Sequence, residues 1–312
     1  MTWSRAELEA RLRQVGAERY HDKHPFNLRM HEGALAPGEI RCWVRNRYYY
    51  QTRIPVKDAS ILAKSPDAQF RRAWIGRIHD HDGRAPGEGG LELWLRLAEA
   101  VGLERADVAS LRRVLPGVQR ACDAYVTFVE SNDLLASVAS SLTELFAGDI
   151  MRDRIAAFEK HYPWVDAEGL AYFRSRTSQA PRDAAYGLDF VLDRAASRED
   201  QERCVAALER KCDILWSLLD AIEEAQRRPR LSPHVALRDD DERPGGALAV
   251  LSERAVRVNP AGREILALCD GARTAEALAA ELAARHPEET HAFEDVHEFL
   301  ASMARLGVVE IL

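Results

Sequence analysis

The run Arg45-Asn46-Arg47-Tyr48-Tyr49-Tyr50-Gln51 places cations, phenols and an amide on consecutive turns of a segment that reads as an interior helix. Aromatic rings are readily buried there, but arginines are not unless something anionic meets them. Arg47 and Gln51 stand four apart and share one helix face, so that face suits the wall of a site for a small, highly carboxylated molecule. Two more pairs repeat the spacing: Arg77 with His81, and Tyr172 with Arg176, with Ser175 beside the latter. Arg154 and Lys211 are further cations in helices that must contact the core. Taken together these residues predict a cationic cavity in which His81 and Tyr172 handle protons. The same residues could also be scattered surface salt bridges, which are common in a chain that is 30% charged.

His81 falls in the last turn of its predicted helix, with Gly83 just beyond as a stop signal. The carbonyl end of a helix favours imidazolium, and a partly protonated histidine suits acid–base work near neutral pH. The alternative is a solvated capping histidine. His79-Asp80-His81-Asp82 does not make a metal site, because neighbours on a helix point in different directions. Glu288-x-x-His291 and Glu294-x-x-His297 mimic di-iron spacing. They lie together in an acidic tail rather than on facing core helices, and they read as solvated charge. The chain has no HExxH, phosphate loop, dinucleotide fingerprint or nucleophile elbow.

Residues 1 to about 227 carry helical patterns, over Trp3–Glu18, Pro37–Ile54, Val56–Lys64, Asp67–His81, Gly89–Val101, Gly117–Ser131, Leu134–Met151, Asp153–His161, Asp166–Gln179, Pro181–Ala196 and Arg198–Arg227. Pro25 is expected to end any helix before it, leaving Tyr20–Phe26 irregular. The result is an all-helical bundle around one central region. The texture changes at Arg227-Arg228-Pro229. Short strands are expected at His234–Arg238, Ala247–Leu251 and Ala255–Val258. Helices are expected at Pro260–Cys269, Thr274–Arg285 and Ala292–Arg305, followed by a closing strand within Gly307–Leu312. That order is a winged-helix pattern, and it sets a small α+β domain, 228–312, behind a helical domain, 1–227.

At 312 residues, two domains are a fair expectation. The formal charge is −7. From Pro229 onward there are nine arginines, no lysine and fifteen acids, a net of −6, so the preceding part is close to neutral. An acidic tail argues against DNA or RNA as its partner. No apolar run approaches membrane-spanning length, and the start is a charged amphipathic helix rather than a signal peptide. Five scattered cysteines do not form a disulfide framework. Cys122, Cys204, Cys212 and Cys269 read as reduced core fillers, and the protein as cytoplasmic.

Tyr20–Phe26, Trp43–Gln51, Ile54–Asp58, His81–Gly83, Ser140–Phe146, His161–Trp164, Tyr172–Arg176 and Lys211–Trp216 resemble the pyrroloquinoline-quinone synthase family, the C protein of that cofactor's biosynthesis. The likeness spans nearly all of residues 1–227. The tail resembles the pathway's D protein, a small winged-helix peptide chaperone, mostly through Asn259-Pro260 and Leu268–Thr274. The chain looks like a natural fusion of the two.

The resemblance implies a haem-oxygenase-like (TENA/THI-4-like) helical fold without haem, and a cofactor-free oxidase. Such an enzyme closes a ring in a bicyclic tricarboxylate and carries out its eight-electron oxidation to the quinone with dioxygen as co-substrate, releasing hydrogen peroxide. Carried over residue by residue, Arg47, Gln51, Arg77, Arg154, Arg176 and Lys211 would line the substrate site. His21, Thr143, Glu144 and Ser175 would help complete it. His81 would serve as base and acid, with Tyr172 and Arg176 near oxygen. The family usually has a histidine where this chain has Met151, and a thioether cannot shuttle protons, so Met151 reads as a core filler. The tail would bind the ribosomal precursor peptide as an added strand, at an edge within 247–258, and present it to a radical SAM enzyme. A homodimer is also implied. The rival readings are a thiaminase-like hydrolase or metal-dependent oxidase on the same fold, and a non-catalytic scaffold.

Overall fold

Two compact units, Met1–Asp220 and Ala221–Leu312, divide the chain in a computed structural model that describes residues 1–289 and 292–312. The division falls inside the helix Arg198–Gln226, upstream of the change of texture at Arg227–Pro229. The first unit is helical throughout. Its longer members are Arg5–Arg19, Pro37–Lys64, Ala68–Asp82, Gly89–Ala100, Pro116–Ser131, Ala147–His161 and Ala171–Arg194.

The prolines do not act where the sequence suggests. Pro55 lies inside the helix Pro37–Lys64 and Pro181 inside Ala171–Arg194, so each pair of predicted helices is one continuous helix. Each proline forgoes one intrahelical hydrogen bond, and buried packing outweighs that loss. Ile54 and Ile61 flank Pro55 in the core, and Ala180 and Ala184 flank Pro181. Pro25, expected to end a helix, begins one over Pro25–His31. Its missing N–H is no loss in the first turn, and Nδ1 of His24 accepts the Phe26 N–H at 3.1 Å as the cap.

Leu134–Met151, expected as one helix, is broken. Leu134–Ser140 tightens into a 3₁₀ turn over Ser141–Leu145 before Ala147–His161 begins. The Ser140 hydroxyl donates to the Ser137 carbonyl at 2.7 Å, local competition of the kind that bends helices. The span 134–161 is long and apolar enough for a membrane helix by composition, contrary to the expectation that no run is. However, 67% of its apolar window is buried within the protein.

Leu8, Leu12, Ile61, Phe70, Trp74 and Leu208 belong to one core cluster. A second aromatic group packs edge-to-face: Trp43 on Trp94 at 5.4 Å and Trp94 on Tyr172 at 4.8 Å. Cys122, Cys204, Cys212 and Cys269 are buried free thiols, as is Cys42.

In the second unit, β1 (Pro229–Leu231) pairs antiparallel with β5 (Val309–Ile311). Strands β2 (Ala236–Asp239), β3 (Ala247–Val250) and β4 (Ala255–Val258) form an antiparallel sheet in that order. β1 was not anticipated because it begins on a proline. Since β3 is paired on both sides, the sheet's edges are β2 and β4, not the whole of 247–258. Helices Pro260–Ala267, Ala275–Arg285 and Ala292–Arg305 lie between β4 and β5. Asn259 caps the first, its Oδ1 accepting the Gly262 N–H at 2.8 Å. Thr274 caps the second. His291 lies outside the described residues. His297 is not solvated as expected: it packs against Phe293 at 5.0 Å, and burial pushes its imidazole down to about 4.

Gly16 lets the Arg5–Arg19 helix meet the Phe146 ring without a side chain between them, and a Cβ there would overlap the ring. Gly16→Ala should therefore destabilise the helical unit by about 1–3 kcal/mol, read as a lowered urea midpoint. An unchanged midpoint would show that the ring moves aside freely.

Candidate active site

A closed face of the helix Pro37–Lys64 builds one wall of an internal cavity. Arg47, Tyr50, Gln51, Ile54 and Lys57 follow one another at spacings of three, one, three and three, a single helical stripe. The cavity volume is about 50 Å³. His81 enters from the end of Ala68–Asp82, Tyr172 and Arg176 from Ala171–Arg194, and Lys211 from Arg198–Gln226. The 3₁₀ turn delivers Ser141, Thr143 and Glu144, and His21 comes from the short turn His21–Lys23.

Of the residues singled out in the sequence, His21, Arg47, Gln51, His81, Thr143, Glu144, Tyr172, Arg176 and Lys211 line this cavity, as does Met151. Three do not. Arg77 lies behind the wall, where it donates to Glu144 at 2.6 Å and pairs with Asp58 at 3.4 Å. Arg154 is buried beside Asn27 with its guanidinium carbon 5.2 Å from the Trp43 ring centre. Ser175 turns its hydroxyl back onto the Tyr172 carbonyl. Lys57, Tyr20, Tyr125 and Ser141 line the cavity without having been assigned to the site, as does Tyr50 of the Arg45–Gln51 run. Extending the Arg47–Gln51 stripe through Pro55 would have reached Lys57; the expected break at that proline hid it.

The charges are unequal. Arg176 meets Glu144 at 3.1 Å and Lys57 meets Asp58 at 2.6 Å. Burial would raise the Glu144 carboxyl, but Arg77, Arg176 and Lys57 outweigh it and hold it down at about 2. Arg47, Arg154 and Lys211 have no carboxylate partner among the described residues. Arg47 lies over the Tyr50 ring at 4.0 Å with its buried Nε unpaired. Lys211 donates to the Tyr50 hydroxyl at 3.0 Å and sits over the Tyr125 ring at 3.5 Å. Burial, then Arg47 and Lys57, push the Lys211 ammonium well below its ordinary value. Burial and Arg47 bring Arg154 down to about 10. The cavity is built to receive negative charge.

His81 is buried rather than solvated, and burial followed by Arg176 pushes it down to about 4. The helix C-terminus does not keep it charged as the sequence suggests, because desolvation is the larger effect. Its Nδ1 lies 3.1 Å from the Arg77 carbonyl, which can only accept. The proton therefore sits on Nδ1, and Nε2 keeps a lone pair for the cavity. Tyr172 is held as a phenol by burial and donates to Gln51 Oε1 at 2.8 Å. Among the described residues no group of three or more histidine, cysteine or acidic side chains could hold a metal ion.

Residues 9–221 match the TENA/THI-4/PQQC family, and residues 245–309 match coenzyme PQQ synthesis protein D. The chain is 52% identical over 230 residues to a protein of Rhizobium rhizogenes named pyrroloquinoline-quinone synthase, covering 74% of this chain and 93% of that one. A protein of the same name from Gluconobacter oxydans is 47% identical over 227 residues, covering 73% and 95%. One from Pseudomonas aeruginosa is 52% identical over 236 residues, covering 75% and 94%. Among solved structures, a domain with a heme oxygenase-like fold from Shewanella denitrificans aligns with a TM-score of 0.59 at 13% identity, covering 72% of this chain and 93% of that one. A TenA homologue from P. horikoshii aligns at 0.56 and 10% identity, covering 69% and 97%. At such identities these two establish the haem-oxygenase-like fold.

The His81 environment sets a pH dependence. The unfolded chain takes up this proton near pH 6.5 and the folded chain only near 4. Stability from neutral His81 is thus whole above pH 6.5 and falls as pH drops through that window. Urea midpoints measured from pH 7 to 4 should fall less steeply in His81→Gln than in the unsubstituted protein. Parallel slopes would contradict the assignment.

Proposed function

Because the chain belongs to the TENA/THI-4/PQQC family, we propose that its helical domain, residues 1–227, closes a ring in a bicyclic tricarboxylate and oxidises it to pyrroloquinoline quinone. The chain is an enzyme of pyrroloquinoline quinone biosynthesis, of the synthase type, with the pathway's D domain behind it. In this reading dioxygen takes the electrons, eight in all, and leaves as hydrogen peroxide, and no cofactor is needed. The observation that carries the reading is the set of buried cations at the cavity without acidic partners, which a polycarboxylate supplies.

The residues divide the work by their environments. Arg47 and Lys211 meet substrate carboxylates, with Arg154 behind them adding positive potential. Neutral His81 accepts a carbon-bound proton through Nε2 and returns it to oxygen. Arg176, held by Glu144, and the Tyr172 phenol stabilise anionic intermediates and reduced oxygen. Met151 fills the wall and takes no proton. The hydrolase alternative is not favoured: it would need a reactive thiolate, yet burial pushes Cys122 and Cys212 up to about 12, and neither lines the cavity.

For the tail, residues 228–312, we propose that the precursor peptide adds as a strand beside β2 or β4 and is presented to the pathway's radical SAM enzyme. The protein works in the cytoplasm, as a homodimer through its helical domain, with neither nucleic acid nor membrane as partner.

Mixing full-length protein with precursor under air should give a quinone absorbance and peroxide; no turnover would favour a binding scaffold. Arg176→Ala should lower kcat/KM about tenfold to a hundredfold, the worth of one or two bonds to a charged group, with unchanged kinetics removing it from the site. His81→Gln should lower kcat about a hundredfold or more. Calorimetry should show saturable binding of the precursor peptide to the full chain, and no heat or saturation would count against the tail's assignment.

A further inference from the structure

Asn27 is fully buried in the helix Pro25–His31, and its side-chain amide joins His21 to Arg154. Nη2 of Arg154 donates to Asn27 Oδ1 at 3.2 Å. A guanidinium can only donate, so the amide oxygen faces Arg154. At the other end, Nδ2 lies 2.6 Å from the His21 carbonyl oxygen, which can only accept. Both contacts fix the same orientation of the amide. The same Nδ2 lies 3.0 Å from His21 Nδ1. An amide nitrogen has two hydrogens to give and accepts none, so Nδ1 is the acceptor. The proton of the neutral ring then sits on Nε2, the one nitrogen of His21 left for a molecule in the cavity. Burial, with Arg47, Arg154 and Lys211 behind it, also holds His21 well below its ordinary value. His21 thus presents the opposite tautomer to His81.

We propose that Asn27 is a positioning residue for the reaction: it locks His21 as a hydrogen-bond donor to the bound anion, bars it from acting as a base, and anchors Arg154. The role toward substrate rests on the oxidase reading above, whereas the tautomer does not.

Nitrogen NMR of full-length protein labelled on its histidines, with His21→Gln assigning the signal, tests the tautomer without any substrate. The expected result between pH 6 and 8 is a protonated Nε2 and a bare Nδ1. A bare Nε2 would overturn the proposal whatever the activity. Asn27→Asp keeps an acceptor for Arg154 but turns an acceptor toward His21 Nδ1. The His21 proton should move to Nδ1, and kcat/KM should fall about tenfold, about the worth of one hydrogen bond to a charged group. An unchanged tautomer with unchanged kinetics would overturn the role. If the unsubstituted chain shows the expected tautomer but never turns over, the oxidase reading fails, and the role toward substrate falls with it.

Discussion

Buried positive charge without negative charge to match it is the constraint on which the helical domain is organised. Removing an ion from water costs several kcal/mol even after relaxation. Arg47, Arg154 and Lys211 are each at most 5% exposed. The fold offsets part of that cost with π-faces. Tyr50 lies under Arg47 and beside Lys211, Tyr125 under Lys211, and Trp43 near Arg154. The rest is left for a ligand, so binding and folding act on the same groups. The carboxylates beside the cavity, Asp58, Glu144 and Asp183, are engaged by Lys57, Arg77 and Arg176. They hold those cations in place rather than neutralising the cavity.

The same burial settles the protonation states. In water His81 and His21 would differ little. Inside, desolvation and neighbouring guanidiniums strip both of charge, and the remaining choice of tautomer is made by what each Nδ1 touches. A backbone carbonyl at His81 leaves a base facing the cavity, and an amide N–H at His21 leaves a donor. One residue type thus supplies two chemical functions, distinguished by a single hydrogen bond each.

Much of this was legible in the sequence, and the failures have physical causes. The stripe from Arg47 to Gln51 and the pairs ending in His81 and Arg176 could be read because helical spacing alone puts them on one face. Lys57 escaped because Pro55 looked like a helix stop. A buried helix between packed neighbours tolerates proline, and nothing local records those neighbours. The kink that delivers Thr143 and Glu144 was invisible for the opposite reason. The segment keeps a helical apolar pattern throughout, and serine hydroxyls bonding back to backbone carbonyls accompany the break. The charge state of His81 was misjudged because a helix end is visible in a sequence while the depth of burial is not. Asn27 gave no signal at all: its role depends on Arg154, distant in the chain, meeting it in space.

The central claim is that ligand anions complete a cavity whose buried cations Arg47 and Lys211 lack acidic partners. Calorimetric titration of the quinone product into the full chain, repeated in buffers of different ionisation enthalpy, tests it most directly. Lys211 is suppressed in the empty protein by burial and by like charges. The prediction is saturable binding with net proton uptake, and loss of that uptake in Lys211→Met. Binding without proton uptake, or uptake that survives the substitution, would contradict it.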